Sequence, residues 1–258
     1  MMILILTQCF PSRLGGIESL VSNLALGLAK KEKVIVYADR HHTFNDDIFD
    51  SKHKNKILVK RVGGIKFLRR RKKIREIKPY IESKQIKLVI GDSWKSLELG
   101  IDYLNLNKIP TVCLAHGNEF LSINSSKIKR IKSTLQKISL VVANSQYTSN
   151  LIKSLNISGI KIDYVYPGAT DLRNKNSTKI PNIKGDPTIL TLARIEKRKG
   201  HSYVIDCVKK LLNKYPDIKY IIAGEGPEKK TLERMVLDNN LSKNIIFVGK
   251  VNDNQKKF

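Results

Sequence analysis

Ile3-Leu4-Ile5-Leu6, then Phe10-Pro11-Ser12-Arg13-Leu14-Gly15-Gly16-Ile17-Glu18, then Leu20, Val21, Leu24 and Leu28 form the stretch that decides the fold. A short apolar run bounded by polar residues and a proline reads as a buried strand. Apolar residues recurring at spacings of three and four then mark one face of a helix. A strand, a glycine-bearing loop and a helix in succession make the opening half of a βαβ unit.

The same alternation continues outward. Strands are expected at 34–37, 57–62, 88–90, 111–115, 140–143 and 162–166, with loops and helical patterns between most of them. Asn144-Ser145 reads as a helix start, because such side chains cap free amides. Residues 39–56 are polar and read as an irregular excursion, with His41, His42 and His53 solvated. After Pro167-Gly168 the periodicity stops, and 171–187 reads as a linker. It restarts with strands at 188–193, 218–223 and 244–248, with helices near 201–215 and 228–239 between them. Strands alternating with helices predict parallel sheets in an α/β fold. The division expected is a first domain over 1–170 and a second over 188–258. Buried parallel strands need both faces covered, so the second domain reads as incomplete, its fold continuing past Phe258.

Composition narrows the class. With 258 residues, 41% hydrophobic, the chain can bury a core, and 7% aromatic argues against a stacking-dominated RNA binder. A net charge of +25 favours an acidic partner, although lysine is used heavily from end to end. Cys9, Cys113 and Cys207 lack CxxC spacing and fit a reducing cytosol better than disulfides or a metal site. The apolar start lacks a basic n-region and a cleavage site, and no apolar run reaches the ~18 residues of a membrane span. The expectation is a cytoplasmic protein able to touch a membrane face peripherally.

Three loops follow strands, where ligands of parallel sheets bind. Gly15-Gly16 lets the backbone approach a ligand beside free helix amides, or makes a plain tight turn. Arg194-Ile195-Glu196-Lys197-Arg198-Lys199-Gly200 places cations at a helix entry, as a diphosphate site or a solvated basic loop. Gly224-Glu225-Gly226-Pro227 makes a tight turn with proline suited to the first helical position. His116 also follows a strand. Gly-x-Gly-x-x-Gly, Asp-x-Asp, Gly-x-Ser-x-Gly and the Walker lysine are all absent.

Taken together, Pro11 to Glu18, His116-Gly117, Ala143-Asn144-Ser145, Val165 to Gly168, Ala193-Arg194 with Lys199-Gly200, Ala223 to Pro227 and Phe247-Val248-Gly249 resemble the family 4 glycosyltransferases. The opening stretch looks most like the phosphatidylinositol mannosyltransferase subgroup. The resemblance implies the GT-B fold, two Rossmann-like parallel-sheet domains facing a cleft. It implies retaining transfer of a hexose, with mannose as the subgroup's suggestion, from a nucleotide-diphosphate sugar to a lipid-linked or polysaccharide acceptor. Gly15 and Gly16 would lie near the donor phosphates and the acceptor, and His116 would face the transferred sugar. Arg194 and Lys199 would neutralise the leaving diphosphate. Gly224 and the Lys250-Val251 backbone would border the donor, with Arg13, Asn118 and Glu119 on the acceptor side. No metal or other cofactor is implied, two cations serving where Asp-x-Asp would hold a metal. The family's paired glutamates and its closing helix would lie beyond Phe258, which leaves open a fragment or one half of a split enzyme.

Lys66 to Lys78 is the densest charge run, with Ile65, Leu68, Ile74, Ile77 and Ile81 beneath it. It reads either as a solvated face or as a basic amphipathic helix that docks on anionic lipid. A sugar-nucleotide epimerase of similar fold fits the motif order less well. A nucleic-acid binder, suggested by +25, lacks a reading motif.

Overall fold

The computed structural model describes residues 1–13, 15–121, 124–169 and 183–251. These residues fall into two compact units, Met1–Gly168 and Ala169–Phe258. In the first, β1 (Met2–Thr7), α1 (Gly16–Leu28), β2 (Val34–Asp39), α2 (Thr43–His53) and β3 (Leu58–Val62) run in order. They are followed by α3 (Lys66–Glu82), β4 (Ile86–Gly91), α4 (Trp94–Leu97), α5 (Ile101–Leu106) and β5 (Thr111–Ala115). The unit continues with α6 (Ser125–Leu135), β6 (Leu140–Ala143), α7 (Gln146–Lys153) and β7 (Ile162–Tyr164). The second unit holds β8 (Thr188–Leu192), α8 (His201–Leu211), β9 (Lys219–Ala223), α9 (Lys229–Asp238) and β10 (Ile245–Gly249).

The first sheet has seven strands in the order β3-β2-β1-β4-β5-β6-β7, every neighbouring pair parallel. Period-two alternation explains its two cores. Leu4 and Leu6 of β1 join Ile35 and Tyr37 on one face, while Ile3 and Ile5 join Val34 and Val36 on the other. Helix α1 covers the second face with Val21 and Ala25, and α3, α6 and α7 contribute Ile77, Ile131 and Ile152 to the first. The chain therefore winds one way from β1 to β3 and the other way from β4 onward. The switch point lies between β1 and β4.

Residues 39–56 are not an irregular excursion. Most of them form α2, whose polar composition hides a buried anchor. Asp46 is wholly buried and its carboxylate accepts the main-chain N–H groups of His41, His42 and Ser12 and the Ser12 hydroxyl. Burial alone would raise its pKa, but these bonds outweigh it and hold the carboxyl below its ordinary value. Nor are all three histidines there solvated. His41 Nε2 meets the Gln8 oxygen at 3.1 Å, and His53 packs its ring on Phe49.

The second unit is a three-stranded parallel sheet in the order β10-β9-β8. Ile205 and Val208 of α8 and Leu232 and Val236 of α9 pack with Tyr220 and Ile222 of β9 in one core. Leu190 and Leu192 of β8 remain 41% and 46% exposed. The linker expected over 171–187 lies mostly outside the described residues, which resume at Ile183.

Candidate functional site

Parallel sheets bind ligands beyond the carboxyl ends of strands at the switch point, here where β1 ends at Thr7 and β4 at Gly91. Between them sits Asp92, 2% exposed. One of its oxygens accepts the Thr7 hydroxyl at 2.7 Å and the N–H groups of Gln8 and Cys9 at 2.8 and 3.1 Å. The other accepts the hydroxyls of Ser96 at 2.5 Å and Ser93 at 3.2 Å. Asp92 thus ties the start of the β1–α1 loop to α4.

His116 reaches the same place from the end of β5. Its Nε2 lies 2.8 Å from the Asp92 main-chain oxygen, which can only accept, so Nε2 carries the proton. In the neutral ring Nδ1 is then an acceptor. Glu119 accepts the His116 N–H at 2.8 Å, so its carboxylate braces the loop, and Asn118 beside it is exposed.

The rest of the β1–α1 loop is held by charge. Arg61 on β3 donates to the Pro11 oxygen and makes a two-point contact with Asp50, its side chain only 1% exposed. Arg13 pairs with Glu18 at 3.1 Å. A Cβ on Gly15 would fall 2.2 Å from a Glu18 carboxylate oxygen, so that carboxylate lies against the loop and would have to move for any larger residue. The amino end of α1 is therefore occupied by the chain's own carboxylate. Burial, then Asp92 and Glu18, push the Cys9 thiol up to about 12, so it stays protonated. Asp92, Glu18 and Asp39 are buried nearby, and Lys73, itself buried, is bonded at 2.6 Å to both Asp39 and the Thr7 oxygen.

In the second unit β8 leads into Arg194, whose guanidinium is 65% exposed and meets Glu196 at 3.0 Å. Arg198 takes the other Glu196 oxygen at 2.8 Å. Lys199 is exposed at the end of a short 3-10 turn, Lys197–Lys199, and Gly200 in the left-handed region turns the chain into α8. The neighbouring turn approaches closely. A Cβ on Gly224 would lie 1.9 Å from the Ala193 oxygen, and one on Gly226 2.2 Å from the Ile195 oxygen. Gly224 N–H also donates to Gly249 O at 2.8 Å, one residue before exposed Lys250 and half-buried Val251. Arg194, Lys199, Gly224 and Lys250 thus share the carboxyl edge of one sheet.

Two family models match this chain, glycosyltransferase family 4 over residues 14–171 and glycosyl transferases group 1 over residues 173–258. The chain belongs to glycosyltransferase family 4.

Relatives of this family 4 chain include a Campylobacter jejuni enzyme, the N-acetylgalactosamine-N,N'-diacetylbacillosaminyl-diphospho-undecaprenol 4-alpha-N-acetylgalactosaminyltransferase. It is 30% identical over 115 residues, covering 44% of this chain and 30% of that protein. The GDP-mannose-dependent monoacylated alpha-(1-6)-phosphatidylinositol monomannoside mannosyltransferase of Corynebacterium glutamicum is 22% identical, covering 96% of this chain and 67% of that one. Among solved structures, Anabaena HepE in complex with UDP superposes with a TM-score of 0.76 at 19% identity, over 98% of this chain and 70% of that chain. The chain thus spans less than a third of the Campylobacter enzyme and about two thirds of the other two. The fold expected from the sequence, α/β of GT-B type with two parallel sheets, is the fold found.

The predicted site residues of this family 4 chain fall into two groups, each at its own sheet edge. Gly15, Gly16, Arg13, His116, Asn118 and Glu119 belong to the first unit, and Arg194, Lys199, Gly224, Lys250 and Val251 to the second. Sequence reasoning missed Asp92, Asp39, Asp46 and Arg61, and it held Lys73 and Glu196 only as members of longer charged stretches, without their partners. Their only signal was position, since Asp39 and Asp92 end or directly follow apolar strands.

Proposed function

We propose that this chain works as a retaining glycosyltransferase, moving a hexose from a nucleotide-diphosphate sugar to a lipid-linked or polysaccharide acceptor. The observation that carries this reading is the cationic loop of Arg194 and Lys199, set at the carboxyl end of β8 beside Gly224 and the amino end of α8. Charge builds on the departing nucleotide diphosphate as the glycosidic bond breaks, and preorganised cations with helix amides stabilise it. Glu196 holds Arg194 in place and half-neutralises it, so a bound diphosphate competes with that carboxylate. In the first unit the carboxylates of Asp92, Asp39 and Glu18 are buried and already paired, which leaves the His116 Nδ1 as the acceptor for a sugar hydroxyl in this reading. HepE was solved with UDP and the Corynebacterium relative uses GDP-mannose, so both nucleotide classes are candidate donors.

The acceptor side includes a membrane face in this proposal. The basic run divides in the structure. Lys73, Arg69 and Arg70 turn inward to Asp39 and Glu98. Lys66, Arg71, Lys72 and Arg75 stay exposed, beside Ile65 and Phe67 at 62% and 65% exposure. Exposed apolar side chains flanked by cations suit an anionic lipid surface. Among the described residues no helix is long and apolar enough to cross a membrane.

A thermal-shift panel of UDP-, GDP- and dTDP-sugars tests the donor assignment, repeated with Arg194→Ala and Lys199→Ala. One nucleotide class should stabilise the wild type, by about 2.7 kcal/mol at a hundredfold excess over Kd, and neither variant should respond. Equal shifts in all three proteins would reject the assignment. For the membrane face, sedimentation with phosphatidylglycerol vesicles at low salt should carry down the wild type and leave Phe67→Ser/Arg71→Glu in solution.

A further inference from the structure

Arg70 and Arg130 close on the single carboxylate of Glu98 at the carboxyl edge of the first unit, with Lys95 beside them over Trp94 and Lys127 three residues before Arg130 on α6. Glu98 accepts Arg70 at 2.7 Å and takes Arg130 through two bonds of 2.7 and 2.9 Å. Arg70 also donates to the Lys95 main-chain oxygen at 3.1 Å. Arg130 and Lys95 both lie over the ring of buried Trp94, at 5.4 and 5.7 Å from its centroid. Burial and then the fields of Lys127, Arg70 and Arg130 hold the Lys95 ammonium below its ordinary pKa. Glu98 thus already carries two arginines, and Lys95 shares the Trp94 ring with one of them. Glu98 fixes the two guanidinium groups, whereas neither Lys95 nor Lys127 has a carboxylate partner within ion-pair distance among the described residues.

A surface that concentrates uncompensated cations costs stability unless an anion completes it. The place has a functional neighbour as well. Lys95 follows Asp92 by three residues, and Asp92 is the residue whose main-chain oxygen fixes His116. We propose that Arg70, Lys95, Lys127 and Arg130 seat a phosphate or diphosphate group carried by the acceptor. The proposal rests on the transferase reading and deepens it by naming the acceptor's chemistry. The arginines form a rigid frame and the two lysines close on the phosphate oxygens as charge-assisted donors. The donor's own diphosphate belongs to the other unit, at Arg194 and Lys199.

Reductive dimethylation read residue by residue by mass spectrometry tests this without requiring turnover. Millimolar inorganic pyrophosphate, against chloride of equal ionic strength, should slow labelling of Lys95 and Lys127 by about threefold or more through those contacts. Lys72 and Lys78 serve as exposed comparison lysines. Lys199 in the same experiment reports the donor loop, so failure of the acceptor seat and failure of the donor reading are seen separately. In Glu98→Gln the protection should tighten, because a competing anion is gone while the shape is kept. Lys95 and Lys127 slowed no more than Lys72 and Lys78 would overturn the proposal. So would loss of protection in a Glu98→Gln protein that still unfolds cooperatively. Protection by phosphatidylglycerol vesicles but not by pyrophosphate would also overturn it, assigning the cluster to the membrane surface.

Discussion

The imidazole Nε2 of His116 stands 2.8 Å from the main-chain oxygen of Asp92, while the Asp92 carboxylate collects five donors from the ends of β1 and α4. One buried residue therefore sets both the tautomer of the histidine and the path of the glycine loop. The N–H groups of Gln8 and Cys9 can only donate, so the carboxylate oxygen they share must accept.

Asp92→Asn should show this directly. An amide keeps one acceptor for the Gln8 and Cys9 N–H groups but replaces the second carboxylate oxygen with an NH2 that the Ser93 and Ser96 hydroxyls must reorient to accept, at the loss of the charge-assisted bonds. The expected loss is about 2–3 kcal/mol, read as a lower urea midpoint with unchanged slope. A change below ~0.5 kcal/mol would mean the carboxylate is not the organising group.

Lys73 and its neighbours on α3 should separate cleanly. Lys73→Met leaves Asp39 buried with only Arg69 at 3.5 Å, and breaking such a pair costs about 3–5 kcal/mol. Exposed Arg71→Ala and Arg75→Ala should change stability by less than ~0.5 kcal/mol yet weaken vesicle binding. Chemical denaturation and vesicle sedimentation on the same three variants decide the matter.

Gly224→Ala should disturb the cationic loop from outside it. The new Cβ would sit 1.9 Å from the Ala193 oxygen, so one of the two turns must move. Strain of this kind costs about 1–3 kcal/mol, and the nucleotide-induced thermal shift should fall with it. Gly168→Ala, where a Cβ meets nothing within 4 Å, is the matched control.

His201 predicts a pH dependence of the second unit. Its ring is 2% exposed, both nitrogens lack partners among the described residues, and burial followed by Lys199 lowers its pKa below the ordinary 6.5. The folded protein keeps it neutral while the unfolded chain takes up a proton. The stability it supports is thus full above pH 6.5 and falls as the pH drops below that value. Urea midpoints measured from pH 7.5 down to about 5.5 should decline less steeply in His201→Leu, and a parallel decline would contradict the assignment.

Much of the fold was legible because the central strands β1 and β2 are apolar almost throughout. β1 and β2 read as strands since both faces of a parallel sheet are buried, and the strands at Thr111–Ala115 and Leu140–Ala143 have the predicted bounds. Ser145 accepts the Thr148 N–H at 3.2 Å, as a helix start at that position requires. Helix α2 escaped because its apolar stripe is short. Phe44 and Ile48 are exposed, and Asp46 is the side chain it buries most fully. A polar anchor leaves no hydrophobic periodicity to read.

The sequence by itself determined the alternation of strands and helices, the break after Gly168 and the loops that carry the family's motifs. Those features are local, set by spacing, glycine and proline within a few residues. Only the tertiary structure decided which polar and charged groups pair. Asp92 meets Thr7 across 85 positions, Lys73 meets Asp39 across 34, and Arg130 meets Glu98 across 32. Such partners come together because the winding order brings strand ends to one edge, and a single sequence carries no record of distances between residues so far apart. The division of the Lys66–Lys78 run into buried braces and an exposed face was set the same way, by what packs against each side of the helix.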